Sequence, residues 1–144
     1  MRGFTYPATL TPEEEGGFVV TFADFSEAIT QGDDEADALA EAADCLEEAV
    51  AGRIAHGEPI PDPSPGGKGA HAVALPAQMA AKAALYLAMR EAGITKVELA
   101  RRLECDEKEV RRLLNPRHPS KLARIEAALA ALGKRLVVAM DAAA

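Results

Sequence analysis

The sequence predicts an α+β protein with two domains: a β-β-β-α-β domain over residues 1–75, and an all-helical domain over residues 76–144 that ends in a short strand. Strand-like segments dominate the beginning of the chain, whereas apolar residues recur every three or four positions through most of the second half. The charges divide in the same way. Residues 1–70 hold 15 acidic and 3 basic side chains, and residues 71–144 hold 8 acidic and 13 basic ones. We therefore expect the two halves to meet different partners.

Three strands are predicted before the first helix. Arg2–Leu10 and Gly17–Phe22 flank the turn-like segment EEEGG and predict a hairpin, and Glu27–Gln31 predicts a short third strand. Because proline cannot donate to a strand ladder, Pro7 predicts that the first strand lies at a sheet edge or contains an irregularity. His71–Leu75 predicts a fourth strand that returns to the same sheet.

A long amphipathic helix is predicted between the third and fourth strands, from the turn at Gly32 to about His56. Its apolar stripe consists of Leu39, Ala43, Leu46, Val50 and Ile54. Its opposite face carries Glu41, Asp44, Glu47 and Glu48. These carboxylates form either a solvated surface or a contact surface for a basic partner. The stretch 58–69 is rich in proline and glycine and is predicted to be a loop or connector. Because the strand His71–Leu75 is expected to return to the N-terminal sheet, we place the domain boundary near Pro76 and not in this stretch.

The stretch KVELARRLECDEKEVRRLLN, residues 96–115, predicts a helix-turn-helix. Its first helix covers Lys96–Leu103, and the chain breaks at Glu104-Cys105. Asp106 is expected to cap a second helix that stops at Asn115-Pro116. The small side chain of Ala100 would let the two short helices pack closely.

Further helices are predicted on both sides of this unit. Ala77–Ala92 precedes it, and Ser120 is expected to cap a helix over Lys121–Leu132. The last segment, Lys134–Met140, predicts a strand that has no partner in its own domain. We expect it to pair with the same strand of a second copy, which would make a dimer; the alternative is a tail that packs on the helices.

The second helix of the helix-turn-helix has the charge pattern of a DNA-recognition helix, because arginine binds both phosphates and the guanine edge. The predicted DNA-binding residues on this helix and its cap are Asp106, Glu107, Lys108, Arg111 and Arg112. Those on neighbouring surfaces are Arg101, Arg117 and Lys121. A merely solvated arginine pair is the alternative, but the order of helix, break, cap and helix favours DNA binding.

Several other classes of protein are not indicated. No apolar run is long enough to span a membrane and no signal segment is evident, so we expect a cytoplasmic protein. Cys45 and Cys105 lie in different predicted helices without metal-ligand spacing, and neither a disulfide, a metal site nor a cofactor is expected. The three histidines are scattered, and no catalytic constellation stands out.

The segment FADFSEAITQGDDEADALAEAADCLEEAVAGRIAHGEPIP, Phe22 to Pro61, resembles the HicB antitoxin family. In that family a "DFPEALTQGD" segment precedes a long helix and a "GEPIP" segment. The helix-turn-helix, the following NPRHP and the ending ALAALGKRLVV resemble the HicB members that carry a helical DNA-binding domain. The likeness covers nearly the whole chain. Glu104 departs from it, because a glycine is frequent at that point of the turn.

This resemblance implies a degenerate RNase H-like N-terminal domain that binds and blocks a small HicA-type toxin, which cleaves messenger RNA. It also implies that the C-terminal domain binds operator DNA and represses the operon encoding both proteins. An acidic inhibitor suits a basic RNA-cleaving toxin. The candidates for toxin contact are the carboxylates of Asp24, Glu27, Asp33, Glu41, Asp44 and Glu48.

We do not expect the N-terminal domain to be a nuclease. An RNase H-type site needs carboxylates that converge at strand ends to hold two metal ions, and the strands Arg2–Leu10 and His71–Leu75 contain none. A second function from another class stays open. In that alternative the protein is a stand-alone transcriptional regulator whose acidic domain senses a small molecule or oligomerises.

Overall fold

The computed structural model describes residues 1–142, which form two compact units. The first unit comprises Met1–Arg53 and Pro61–Pro76, and the second comprises Ile54–Ile60 and the chain from Ala77 onward. The predicted α+β class is confirmed, with an antiparallel sheet and a helix preceding a helical part. Residues 54–60 group with the helical unit, although the boundary predicted near Pro76 assigns them to the first domain.

The first unit contains a four-stranded antiparallel sheet in the order β3-β2-β1-β4. Its strands are β1 (Thr5–Pro12), β2 (Phe18–Phe22), β3 (Phe25–Gly32) and β4 (His71–Ala74). β1 is an interior strand, so the edge position predicted from Pro7 is wrong for the strand as a whole. The reason is that its partners divide along its length: residues 5–8 pair with β4, and residues 8–12 pair with β2. Pro7 thus lies where β1 has a neighbour on one side only, and its missing N–H removes no bond to β2.

Helix α1 (Glu35–His56) follows β3 and belongs to the first unit as far as Arg53. Two reciprocal hydrogen bonds cap its N-terminus. Asp34 Oδ1 accepts from the Asp37 amide, and Asp37 Oδ2 accepts from the Asp33 amide, each at 2.8 Å. Gly32 is required by a close approach: a Cβ there would lie 2.3 Å from the Ala38 nitrogen. The sequence segment QGDD therefore fixes how the chain leaves β3 and enters α1.

The core of the first unit lies between the sheet and α1. Tyr6 and Phe25 meet edge to face at 4.9 Å between ring centroids, and both are fully buried. The fully buried positions of α1 are Ala38, Ala42, Leu46 and Val50. The predicted stripe is therefore correct at Leu46, Val50 and Ile54, all buried, whereas Leu39 and Ala43 are only partly buried.

The second unit contains four helices: α2 (Ala77–Ala92), α3 (Lys96–Leu103), α4 (Glu107–Leu114) and α5 (Leu122–Ala131). Leu85, Leu99, Val110 and Ile125, one from each helix, are fully buried and form its core. The predicted cap of α5 is wrong. Lys121 occupies that position without a side-chain bond, because the Ser120 hydroxyl instead accepts a hydrogen bond from Lys82.

The terminal strand predicted over Lys134–Met140 is absent from the described chain, where residues 134–142 have no regular secondary structure. A strand needs a neighbour for its N–H and C=O groups, and no other segment of residues 1–142 pairs with this one. None of the helices in the described range is both long enough and apolar enough to cross a membrane.

Candidate nucleic-acid and protein interfaces

Local capping interactions build the helix-turn-helix. Thr95 Oγ1 accepts from the Glu98 amide at 3.1 Å and begins α3, and Asp106 Oδ1 accepts from the Lys108 amide at 2.9 Å and begins α4. Between them, Glu104 adopts the left-handed conformation, with φ 53° and ψ 45°, and its amide bonds back to carbonyls of α3. The turn thus has the geometry that glycine favours, even though the residue is glutamate.

Helix α4 presents a cationic face to solvent. Its apolar side, Val110, Leu113 and Leu114, is buried, whereas Lys108, Arg111 and Arg112 are exposed. Within residues 1–142 these three cations form no salt bridge. No carboxylate in this range therefore competes with an anionic ligand for these side chains.

The other predicted DNA-binding residues fall into two groups. Those with a partner or a local structural role are Asp106, which caps α4, Arg101, whose guanidinium binds Glu98, and Arg117, whose amide donates to Asn115 Oδ1. The remaining two are Lys121, exposed immediately before α5, and Glu107, partly buried on the first turn of α4. Glu98 also binds Arg102 at 3.1 Å, which makes the arginine pair of α3 less available to phosphate than the pair of α4.

Lys82 is a buried cation that the sequence did not single out. It lies on α2 with no exposed surface. Its ammonium donates to the carbonyl oxygens of Arg112 at 3.0 Å and Leu113 at 2.9 Å, and to Ser120 Oγ at 2.8 Å. Each of the three donors therefore has an acceptor. Two of these acceptors are carbonyls in the last turn of α4, and that of Arg112 also accepts from the Asn115 amide at 3.2 Å.

Alkaline pH is expected to stabilise the second unit through Lys82. Burial lowers the pKa of Lys82 to about 8, from an ordinary value of 10.5. Between these values the unfolded chain holds a proton that the folded chain has lost, so the free energy of unfolding rises with pH. Urea unfolding should show wild type gaining about 2 kcal/mol relative to Lys82→Met between pH 8 and pH 10. An unchanged difference between the two proteins over that interval would contradict this expectation. The comparison with Lys82→Met removes the opposing effect of Tyr6, whose pKa burial raises to about 12.

Asp24 and Glu27, both predicted toxin-contact residues, form side-chain hydrogen bonds within the first unit. Asp24 Oδ2 accepts from the amide and the hydroxyl of Ser64, both at 3.1 Å. Glu27 forms a two-point bond with Arg53, at 2.7 and 2.8 Å, and this guanidinium lowers the pKa of the Glu27 carboxyl. Arg53 also lies over the Phe25 ring at 4.7 Å. These two carboxylates therefore have structural roles. Asp24 links the turn after β2 to the segment that contains Ser64, and Glu27 links β3 to α1.

The other four predicted carboxylates are exposed. Glu41, Asp44 and Glu48 follow one another at three- and four-residue spacing, so they form a single stripe along α1, and Asp33 lies just before that helix. This surface, residues 41, 44 and 48, is called the α1 acidic stripe below. Among residues 1–142 no group of three or more histidine, cysteine or acidic side chains is arranged to hold a metal ion.

The fold and its surfaces define a small two-part protein, in which an acidic sheet-and-helix unit and a basic helix-turn-helix unit share one chain. Residues 5–84 match the family described as "HicB_like antitoxin of bacterial toxin-antitoxin system". The chain belongs to this HicB-like antitoxin family.

Curated relatives match over almost the full length. Antitoxin HicB of Escherichia coli (strain K12) is 41% identical over 135 residues, covering 94% of this chain and 98% of the relative. Antitoxin HicB of Pseudomonas fluorescens (strain Pf0-1) is 37% identical and covers 99% of this chain and 100% of the relative. Antitoxin HicB 1 of Photorhabdus laumondii is 35% identical over 141 residues, covering 98% of this chain and 90% of the relative. The similarity therefore includes the helix-turn-helix unit as well as the N-terminal unit.

Proposed function

We propose that the protein is an antitoxin that neutralises a small HicA-type, messenger-RNA-cleaving toxin and represses its own operon. The observation that carries this proposal is the separation of opposite charges on two surfaces: the α1 acidic stripe in one unit, and the cationic face of α4 in the other. A basic toxin and a DNA backbone are chemically complementary to these two surfaces. The proposed role is inhibitory and regulatory, not catalytic.

The DNA-binding part of the proposal rests on α4. In a helix-turn-helix the second helix enters the major groove and its outward side chains reach base edges. Arg111 and Arg112 are suited to guanine or phosphate, and Lys108 lies one turn earlier on the same exposed side. Arg117 and Lys121 follow in the loop after α4, where backbone contacts are expected.

A dimer would give the protein two such helices for a palindromic operator. The segment 134–142 has no regular structure in the single chain and would become a strand only on pairing with the same segment of a second copy. Antiparallel pairing of two copies with Val138 opposite Val138 would place Arg135 opposite Asp141 and Leu136 opposite Met140. Val138 and Met140 are 81% and 99% exposed in the single chain, so this pairing would also cover apolar surface.

Val138→Glu is expected to convert the dimer into monomers. The change puts two carboxylates directly opposite each other at the centre of the proposed pairing, where like charges destabilise. Light scattering should show the monomer mass for this variant and twice that mass for wild type. Val97→Glu is the matched control, since Val97 is also exposed, at 62%, but lies on α3. A Val138→Glu protein that remains dimeric would rule out this interface.

Co-purification tests the proposal as a whole. The tagged protein, expressed in its native host, should retain in near-equal amount a small basic companion, identified by mass spectrometry. Adding the isolated protein to that companion should stop its cleavage of RNA. A host preparation without any such companion, from a protein that still binds its own promoter, would favour the stand-alone regulator.

A further inference from the structure

The second unit contains a group of polar contacts, the α2 clamp, formed by Lys82 and Gln78. The Lys82 ammonium binds the Arg112 and Leu113 carbonyls and the Ser120 hydroxyl, as described above. One turn earlier on α2, Gln78 Oε1 accepts from the Ser120 amide at 2.8 Å. The clamp therefore holds both the last turn of α4 and the end of the loop that follows it.

Burying a lysine ammonium costs free energy unless its hydrogen bonds compensate for the lost hydration. Burial opposes its charge, as the lowered pKa of Lys82 indicates. A methionine would fill a similar volume without that desolvation penalty, and replacing buried charges by apolar residues often stabilises a protein. What methionine cannot supply is three directed hydrogen bonds to Arg112, Leu113 and Ser120.

These bonds act on the DNA-facing residues. Arg112 carries both a clamped carbonyl and one of the three exposed cations of α4. The loop after α4 is fixed at its start by Asn115 Oδ1, which accepts from the Arg117 amide at 3.0 Å, and at its end by the clamped Ser120. Val110, Leu113 and Leu114 pack the buried side of this eight-residue helix, and the clamp adds directed bonds at its C-terminus, where the partial negative charge suits a cation.

We propose that Lys82 and Gln78 are positioning residues for sequence-specific DNA recognition, which hold α4 and the loop 115–120 in the orientation that reads base edges. This inference rests on the DNA-binding part of the proposed function. Base readout depends on placing side chains to within a fraction of an ångström, whereas attraction to phosphates depends mainly on charge. The clamp should therefore contribute to specific affinity and hardly at all to non-specific affinity.

The test compares wild type and Lys82→Met on two duplexes, one from the promoter of the protein's own operon and one with the same bases scrambled. Lys82→Met should bind the promoter duplex about tenfold more weakly, the equivalent of one lost base contact, and bind the scrambled duplex as wild type does. Thermal unfolding of the full chain and toxin binding should not be impaired. A merely structural role would leave the ratio of the two affinities unchanged at temperatures where the variant is folded.

Further variants keep the result interpretable. Ser120→Ala removes one of the three acceptors of the Lys82 ammonium, and Gln78→Leu removes the acceptor of the Ser120 amide. Each should lower the promoter-to-scrambled ratio by a smaller factor. Lys68→Met removes the same charge from the first unit and should leave the ratio unchanged. If Lys82→Met does not fold, the affinity ratios of Ser120→Ala and Gln78→Leu test the positioning role instead.

Three results would be decisive. Unchanged discrimination in folded Lys82→Met, or in both partial variants if it does not fold, would overturn the positioning role. An equal loss on both duplexes would overturn it too. A wild-type protein that cannot distinguish the two duplexes would instead refute the DNA-binding part of the proposed function.

Discussion

Replacing Arg111 and Arg112 together by alanine is expected to weaken operator binding by about a hundredfold or more, since two base or phosphate contacts would be lost. Both side chains are exposed on α4, and no salt bridge within residues 1–142 engages them. The change should leave the buried side of α4 intact, so the variant should fold and bind toxin as wild type does. Electrophoretic mobility shifts at several salt concentrations would measure the loss and a reduced salt dependence.

The arginine pair of α3 provides a control with the same chemistry and the same change of charge. Arg101 and Arg102 both bind Glu98, so their replacement by alanine should weaken operator binding much less. Equal losses in the two double variants would show that net charge, and not the outward face of α4, determines binding. Loss of toxin binding in a folded Arg111→Ala, Arg112→Ala protein would contradict two separate functional surfaces.

Helix boundaries were predictable where the signals are local. The bounds of α2 and α3 agree with the sequence prediction residue for residue, because Pro76, Gly93 and Thr95 determine where helices begin and end through their own backbone and side-chain chemistry. Asp106 caps α4 as predicted, by a bond to an amide two residues away. Such interactions involve neighbours in sequence and can be recognised from sequence alone.

Features that depend on distant residues could not be predicted in this way. The order of strands places β1 inside the sheet because β4 returns from more than fifty residues later, and Pro7 carries no information about that return. The acceptors of Lys82 lie at least thirty residues along the chain, so its burial among polar groups leaves no local pattern. The same bond diverts Ser120 from the cap of α5, where its residue type alone would place it.

The toxin-contact candidates show a similar limit. Residue type alone does not distinguish the carboxylates at positions 24, 27, 33, 41, 44 and 48, and their spacing identifies only the stripe on α1. In the structure Ser64 binds Asp24, and Arg53 binds Glu27. Glu41, Asp44 and Glu48 are the stronger candidates for toxin contact because they lie exposed at regular spacing along one side of a helix.

Neutralising the α1 acidic stripe, by Glu41→Gln, Asp44→Asn and Glu48→Gln together, is expected to weaken toxin binding about tenfold or more, mainly by slowing association. Opposite charges steer two proteins together before they touch, and the loss should shrink as salt rises. Rates of association measured by surface plasmon resonance at low and high salt would show both effects. Operator affinity should not change, since the cationic face of α4 is untouched.

The control removes three charges elsewhere in the same unit. Glu13, Glu14 and Glu15 are exposed between β1 and β2, so changing them to glutamine alters the net charge equally but leaves the α1 acidic stripe in place. If the stripe contacts the toxin, the first variant should be impaired far more than the second. Equal slowing in both would mean that the toxin responds only to the overall negative field. No slowing in either would place the toxin contact away from these acids altogether.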